Sequence, residues 1–376
     1  MVGPRKDCLF RNSAKSGNMV DTTSTGYKTS QMVRHLETGS SLDVSKELAE
    51  CRESREKYLD LSCKGLFQIP GGALKEFHSI SDLFLYENKL SSLPSSIGHL
   101  TNLRRLLLQQ NQLTARGIPE EFAKLQNLEQ LDLRKNRLEG DLPEPIWNLQ
   151  NLDQLLLSVN KLTSIEGIKN LRNLTVLMIK WNSILNGIPP SIGGLTKLVA
   201  LDLSCNKITS LPESIGNCTS LRDLYLQHNK LTRLPDSIGN LVNLCRLALK
   251  YNQLTEVPAS LANCTRLTEF NVENNQLTTL PSLNLEHNRI VHIPPSIFSR
   301  APKLTRLNLN DNAVASLVPS DLHQWKAIVE LDLGTNQLTA LPPEIRHLEN
   351  LEVLGLNLNQ LRVSDYSHRL IFLFVT

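Results

Sequence analysis

The sequence has few aromatic residues, no long hydrophobic run and no excess of either charge. Aromatic side chains make up 5% of the 376 residues. No stretch reaches the roughly 18 apolar residues that a membrane-spanning helix requires. The N-terminus lacks the apolar segment of a secretory signal, and the apolar end RLIFLFVT is short. We therefore expect neither direct membrane insertion nor secretion.

The charges nearly cancel, with 40 Lys and Arg against 37 Asp and Glu. Residues 1–42 contain six basic and three acidic side chains, so the remainder is balanced. Nucleic-acid binding requires a basic stripe, and the balance argues against such a partner. The seven cysteines are odd in number and form no paired pattern, which indicates free thiols in a reducing compartment. No phosphate-binding glycine loop or metal-ligand spacing occurs, so we expect no cofactor and no metal.

One repeated stretch dominates what is present. LRDLYLQHNKLTRLP, from Leu221 to Pro235, has the skeleton L-x-x-L-x-L-x-x-N-x-L of a leucine-rich repeat. Successive side chains of a strand point to opposite faces. Leu224 and Leu226 should therefore enter a core. Asn229 should be buried at the end of the strand and bond to the backbone of neighbouring coils.

Copies of this unit follow one another along the chain. Their turn asparagines are Asn88, Asn111, Asn136, Asn160, Asn182, Asn206, Asn229, Asn252, Asn275, Asn288, Asn312, Asn336 and Asn359. Intervals of 22 to 25 residues separate them, except for 13 between Asn275 and Asn288. The pattern predicts an α/β leucine-rich repeat solenoid, a horseshoe with a parallel concave sheet and short helical turns on the convex side.

The domain boundaries follow from composition. Residues 1–42 are polar and predict a disordered tail. Residues 43–58 predict a helix that caps the first coil. The solenoid should run from 59 to 363 with about 13 to 14 repeats. One repeat is compressed near 276–288 and lacks its convex segment, and 364–376 form an irregular C-terminal tail.

The outward columns of the sheet are the candidate binding surface. They combine a basic centre with large aromatic side chains, the composition of protein-binding hot spots. The alternative is that these are ordinary solvated strand positions. The candidate residues are Tyr86, Arg134, Lys180, Trp181, Tyr225, Gln227, His228, Lys250, Tyr251 and Glu273.

An enzymatic interpretation was considered for Cys205 and His228, which should lie on adjacent strands. A thiol and an imidazole can act as nucleophile and base. No third group orients the imidazole, and no oxyanion-binding backbone is implied. We therefore expect a protein that is not an enzyme.

Four stretches resemble the Shoc-2/Sur-8 family of intracellular Ras-group leucine-rich repeat scaffolds. They are KELAECRESREKYLDLS, SIGNCTSLRDLYLQHNKL, LPDSIGNLVNLCRLALKYNQL and LNLEHNRIVHIPPSIFSRAPKLTRLNLNDN. The resemblance implies a horseshoe whose concave face holds a GTP-bound Ras-type GTPase, such as M-Ras, together with the protein phosphatase 1 catalytic subunit. That assembly removes an inhibitory phosphate from RAF kinases and promotes MAP-kinase signalling. RAF kinase is a further candidate partner.

The resemblance also implies roles for individual residues. Asp132 and Arg134 in LDLRKN match a residue pair important for assembly, and Tyr86 in LFLYEN matches an aromatic contact. Lys180 and Lys250 stand where the family has Arg, which keeps the charge and loses the bidentate fork. In the N-terminal tail, Cys8 and Phe10 match a degenerate form of the family's Val-x-Phe phosphatase-docking motif.

The sequence departs from the family pattern in two places. About two repeats are missing between Pro281 and Leu283, and several C-terminal repeats are missing after Leu361. An alternative is a Scribble/Erbin-like or plant Ras-group adaptor with other protein partners. The resemblance implies location in the cytoplasm and the nucleus, with recruitment to membranes through the Ras partner.

Overall fold

The structure is a computed structural model, and it describes residues 44–361 except 55–56, 186, 273, 277–281, 287, 289, 292 and 294–303. The described residues all belong to one compact unit. The predicted tails at 1–42 and 364–376 lie outside the described residues.

The described chain forms short strands that alternate with helical turns. The strands are β1 Tyr58–Asp60, β2 Asp82–Phe84, β3 Arg105–Leu107, β4 Gln130–Asp132, β5 Glu139–Gly140, β6 Gln154–Leu156, β7 Lys161–Leu162, β8 Val176–Met178, β9 Ala200–Asp202, β10 Asp223–Tyr225, β11 Arg246–Ala248, β12 Glu269–Asn271, β13 Ser282–Asn284, β14 Arg306–Asn308, β15 Glu330–Asp332 and β16 Val353–Gly355.

The strands form parallel sheets in chain order. Ten strands make the first sheet, in the order β1-β2-β3-β4-β6-β8-β9-β10-β11-β12, and β13 to β16 make a second sheet. The strands β5 and β7 form a separate pair. Leu201, Leu224 and Leu247 are Cα partners on consecutive strands, so equivalent repeat positions stand side by side. The predicted leucine-rich repeat solenoid is confirmed.

Helical turns connect the strands on the opposite side. The α-helices are α1 Ser45–Ser54, α2 Glu144–Trp147 and α3 Pro319–Leu322. The 3-10 turns are Ser95–His99, Ala115–Gly117, Glu120–Lys124, Glu166–Asn170, Pro190–Gly194, Glu213–Asn217, Asp236–Asn240, Ala259–Asn263 and Pro343–His347. In a typical turn, Asp236–Asn240, the preceding residue Pro235 has a φ of −70°. Ile238 of the same turn is buried. Proline suits this place because its fixed φ pre-organises the turn and its missing N–H is not needed there.

The core is a continuous column of aliphatic side chains. Leu224 and Leu226 are fully buried, as predicted from the alternation, and the equivalent leucines of the other coils join them in one cluster. Val44, which directly precedes α1, and Leu48 of α1 join this cluster, and Glu47 pairs with Lys64 of the first coil at 2.6 Å. That ion pair lowers the pKa of Glu47.

The predicted role of the turn asparagines is confirmed. The Asn229 Nδ2 donates to the backbone oxygens of Leu203 at 2.9 Å and Leu226 at 3.0 Å. Its Oδ1 accepts from the Ile208 N–H at 3.0 Å. Asn229 is buried, so one side chain satisfies three backbone groups that water cannot reach.

The residues before the turn asparagines adopt an unexpected backbone conformation wherever the structure describes them. Sequence analysis treated them as part of the outward strand surface. In the structure they lie in the left-handed region, with φ 55° at Trp181, 56° at His228 and 55° at Tyr251. Such a conformation costs an L-residue about 1–2 kcal/mol. Hydrogen bonds between coils compensate: the Trp181 N–H donates to Ser204 O at 3.1 Å and the His228 N–H to Lys250 O at 2.8 Å.

The short interval between Asn275 and Asn288 coincides with the interruption of the sheet. The first sheet ends at β12 and the second begins at β13. Asn288 donates to Leu285 O within its own coil, while its Oδ1 accepts from the Leu267 N–H at 2.9 Å. In the other coils, the Oδ1 of the turn asparagine accepts from the N–H of the residue two positions after the preceding turn asparagine. The Asn288 Oδ1 accepts instead from the residue two positions before β12, because 13 residues are too few to close a coil.

Candidate protein-binding surface

The outward side of the first sheet, called the strand face below, presents the candidate residues in columns. Parallel strands lie about 4.8 Å apart. Lys180, Ser204, Gln227 and Lys250 therefore follow one another on consecutive coils at the position two before the turn asparagine. Their order is fixed by the strand register.

Trp181 is the most exposed aromatic side chain of the candidate set, at 59%. It lies in the turn after β8, where its backbone is left-handed. Lys180, the preceding residue, is half-buried. A large aromatic ring exposed beside a cation is typical of an anchor for a protein partner.

His228, Tyr251 and Lys250 form a stacked group two coils further on. The rings of His228 and Tyr251 stack with centroids 4.5 Å apart, and the Lys250 Nζ lies 5.1 Å from the Tyr251 centroid. Burial, Lys180 and Lys250 together lower the pKa of His228. This shift favours the uncharged imidazole, and the stack presents an aromatic surface beside a cation.

Asp132 and Arg134 form a closed ion pair. The Asp132 side chain is 2% exposed and that of Arg134 is 23% exposed. The Arg134 Nε lies 3.0 Å from both carboxylate oxygens, and Nη2 donates to Oδ2 at 2.6 Å. Asp132 thus has almost no surface of its own for a partner. It holds the Arg134 guanidinium in position on the strand face.

Tyr225 and Gln227 lie on the same coil as His228 and are half-buried. Burial raises the pKa of Tyr225 to about 12, with Asp223 adding to the effect. Asp223 accepts a hydrogen bond from Arg246 at 2.6 Å, and both side chains are nearly buried. Sequence analysis missed this pair. The signal that could have found it is opposite charge at equivalent positions of adjacent repeats.

Tyr86 lies two residues after Phe84 of β2, at the start of the first sheet. Tyr86 itself is half-buried. Tyr58 stacks against Phe84 with ring centroids 6.3 Å apart, and the Arg105 guanidinium carbon lies 5.9 Å from the Phe84 ring centre. Sequence analysis singled out Tyr86 and missed Tyr58 and Phe84, which occupy earlier outward positions on β1 and β2.

Three candidate residues cannot be placed. Glu273, Cys8 and Phe10 lie outside the described residues, so their proposed contacts remain predictions. The other candidates lie on the strand face of the first sheet or in the turn that ends each strand.

The considered Cys205–His228 pair does not have the properties of a nucleophile and its base. Burial raises the pKa of the Cys205 thiol, the opposite of what a reactive thiolate requires. The His228 ring stacks on Tyr251. Among the described residues, no group of three or more His, Cys, Asp or Glu could hold a metal ion. The described part of the chain likewise contains no helix suited to crossing a membrane.

Comparison with known proteins agrees with this geometry. The sequence matches the family described as "Leucine rich repeat" over residues 57–113, 172–231 and 278–338, and again over 127–149. The chain belongs to the leucine-rich repeat family. Proteins of this family and fold are typically non-catalytic protein-interaction scaffolds, which agrees with the strand face described above.

Individual leucine-rich repeat relatives match parts of the chain. "Leucine-rich repeat protein SHOC-2" of Danio rerio is 42% identical over 64 residues, which are 17% of this chain and 11% of that protein. Lumican of Oryctolagus cuniculus is 33% identical over 135 residues, which are 36% of this chain and 69% of that protein. The match to SHOC-2 therefore spans about a tenth of that relative's length.

A solved structure supports the fold over most of the chain. A leucine-rich repeat protein of Leptospira interrogans superposes with a TM-score of 0.55 at 30% identity, covering 88% of this chain and 96% of that protein. Because the match covers most of the sequence, the two proteins share the repeat architecture.

Proposed function

We propose that this chain is a non-catalytic scaffold that brings a GTP-bound Ras-type GTPase and the protein phosphatase 1 catalytic subunit together and thereby promotes RAF and MAP-kinase signalling. The observation that carries the proposal is the exposed aromatic and cationic surface of the first sheet. The motif resemblance to the Shoc-2/Sur-8 family and the partial identity with SHOC-2 support the choice of partners. RAF kinase is proposed as a further partner.

The geometry suits a scaffold because the contact side chains stand on a rigid framework. Consecutive coils of the first sheet are tied to one another by turn asparagines and by parallel strand pairing. Trp181 and the stacked His228 and Tyr251 therefore need little ordering when a partner binds, which reduces the entropic cost of association. Arg134, fixed by Asp132, adds a charged donor whose direction is set in advance.

The proposed place of action is the cytoplasm and the nucleus, with recruitment to a membrane through the Ras partner. A second candidate is an adaptor of the Scribble/Erbin or plant Ras-group kind with other protein partners. The interruption between β12 and β13 supports this second candidate. A large partner that needs one continuous strand face would meet a break there.

A pull-down with the full chain tests the proposal. The phosphatase catalytic subunit and a Ras-family GTPase are offered together, with the GTPase loaded with either a GTP analogue or GDP. We expect a ternary complex with the GTP form only. Lys180→Glu combined with Lys250→Glu should abolish capture, because like charges then face the groups that bound the lysines.

The matched control reverses two charges on the opposite side of the coils, Lys169→Glu with Arg172→Glu. Both residues are exposed, and capture should persist. Equal capture of the GDP form, or full capture by the Lys180 and Lys250 variant, would contradict the proposal. Thermal unfolding of each variant checks that the coil stack has survived the substitutions.

A further inference from the structure

A second surface lies at the edge of the first sheet, in the turns that follow the strands. We call it the lysine edge and define it as Lys135, Arg137, Lys161, Lys207 and Lys230. Each of these residues directly precedes or follows a turn asparagine, and all are exposed. None of them belongs to the candidate residues of the strand face.

Backbone hydrogen bonds hold these positions in register from coil to coil. The Lys161 N–H donates to Leu138 O at 2.7 Å, and the Lys230 N–H donates to Ile208 O at 2.9 Å. The residues that follow, such as Leu162 and Leu231, are buried. The position after the turn asparagine therefore recurs at the same edge of each coil, and Lys161, Lys207 and Lys230 occupy it on three of the coils.

The charge of this edge is one-sided although the repeat region as a whole is balanced. The residues on either side of the six turn asparagines from Asn136 to Asn252 include four lysines, one arginine and no Asp or Glu. One acidic neighbour is Glu139, whose Cα is paired with that of Lys161 between β5 and β7. Glu139 offsets the charge of Lys161, so Lys135, Lys207 and Lys230 dominate the field of this edge.

Apolar side chains are exposed between the cations. Val159 is 44% exposed, Trp181 is 59% exposed and Leu185 is 49% exposed. Val159 lies on the coil of Asn160, and Trp181 and Leu185 lie on the next coil, that of Asn182, in the middle of the lysine edge. Exposed apolar side chains rimmed by charges of one sign mark a surface for a protein partner of opposite charge.

We propose that the lysine edge binds an acidic peptide segment of a partner protein. Its carboxylates would face Lys135, Lys207 and Lys230, and an apolar side chain would lie against Val159 and Leu185. The five coils from Lys135 to Lys230, at about 4.8 Å each, extend over about 19 Å. An extended segment of about six residues, at about 3.3 Å each, has nearly the same length, so one short peptide can reach every cation.

The composition favours a peptide over single-stranded nucleic acid. A nucleic-acid strand is bound by a series of aromatic faces on which successive bases stack. Here aliphatic side chains, Val159 and Leu185, flank the tryptophan instead. The inference goes beyond the proposed scaffold function and does not depend on it, because a chain that fails to capture the GTPase and phosphatase would still carry this edge.

Fluorescence anisotropy with the full chain tests the inference. The probe is a labelled twelve-residue peptide of Glu with one central Leu, compared with an all-Glu peptide, a thymidine oligonucleotide of equal charge and phosphatidylserine vesicles. We expect the Leu-containing peptide to bind most tightly. Binding should weaken as salt rises, because a Debye length of about 8–10 Å at 0.10–0.15 M screens exposed charges.

Three variants separate the parts of the surface. Lys135→Glu with Lys207→Glu and Lys230→Glu should weaken peptide binding about tenfold or more, because carboxylates would then face carboxylates. The control triple, Lys124→Glu with Lys169→Glu and Arg172→Glu, makes the same charge change on the opposite side and should leave the affinity within about twofold. Val159→Ala with Leu185→Ala should weaken the Leu-containing peptide to the level of the all-Glu peptide.

Several outcomes would overturn the inference. An equal loss of peptide affinity in the control triple would show that the effect comes from net charge alone. Tighter binding of the oligonucleotide or of the vesicles would assign the edge to another class of ligand. Lys207→Gln alone should cause a smaller loss in the same direction, and an unchanged affinity in this mildest variant would also contradict the inference. The GTPase and phosphatase pull-down, repeated with the lysine-edge triple, keeps the two proposals distinguishable.

Discussion

At the scale of single residues, the turn asparagine carries more of the structure than any other polar side chain. In the coil of β10, the amide of Asn229 binds two carbonyl oxygens and one N–H. Two of these groups belong to the preceding coil. The side chain therefore ties neighbouring repeats together as well as ending its own strand.

Asn229→Ala should lower the free energy of unfolding by about 3 kcal/mol or more, because each buried backbone group left without a partner costs about 1–3 kcal/mol. Chemical denaturation measures the loss. Asn170→Ala is the matched control, since Asn170 is exposed on a 3-10 turn, and its effect should stay within about 0.5 kcal/mol. Equal effects of the two substitutions would contradict the assigned role.

The same scale marks the limit of prediction from sequence. The burial of Leu224 and the bonds of Asn229 follow from alternation and from the need to satisfy buried polar groups. The left-handed backbone of Trp181 could not be predicted that way, because its residue type does not favour that conformation. The closure of Asp132 onto Arg134 was also missed, since a motif match does not reveal whether a carboxylate faces a partner or its own neighbour.

At the scale of elements, the 3-10 turns set how closely coils can approach. A Cβ added to Gly216 would lie 2.5 Å from Ser237 O and 2.7 Å from the Ser237 Cβ of the next turn. Gly194 offers the contrast within an equivalent turn, because a Cβ there would meet nothing within 4 Å. The sequence pattern P-x-S-I-G indicated helical turns, but not that the first glycine is a point of contact between coils.

Gly216→Ala should destabilise the chain by about 1–3 kcal/mol, the usual cost of an overpacked contact. The Ser237 backbone is the obstacle and cannot rotate away as a side chain could. Gly194→Ala should leave stability unchanged or raise it slightly by restricting the unfolded chain. Thermal unfolding of the two variants side by side decides the matter, and a loss at Gly194 as large as that at Gly216 would refute the explanation.

At the scale of the whole repeat region, the interruption after β12 divides one stack into two sheets. Solenoid stability is approximately a sum of repeat energies and nearest-neighbour interface energies. The strand pairing that couples repeats elsewhere is absent between β12 and β13, and the Asn288–Leu267 bond replaces it. The interval of 13 residues predicted a defect here. It could not predict which group Asn288 would bind, because that depends on how the shortened coil packs.

Leu331→Ala in β15 should therefore loosen the second sheet selectively. Leu331 is fully buried, and such a truncation costs about 2–5 kcal/mol. Hydrogen exchange measured by mass spectrometry should accelerate across β13 to β16 and change little in β1 to β11. Leu224→Ala in β10 is the reciprocal variant. If Leu331→Ala accelerates exchange equally in both sheets, the two halves are coupled more strongly than the interruption implies.

The left-handed turn has a further consequence for how such a surface can change over time. Thirteen described turn residues share φ values from 51° to 62°, and they include Val159, Trp181, Asp311 and Leu358. The hydrogen bonds between coils impose this conformation on residues of very different types. The backbone conformation of the turn therefore does not depend on which side chain it carries. Mutation can therefore exchange one displayed side chain for another without disturbing the stack. Partner choice can diverge among descendants of this chain while the architecture is inherited unchanged.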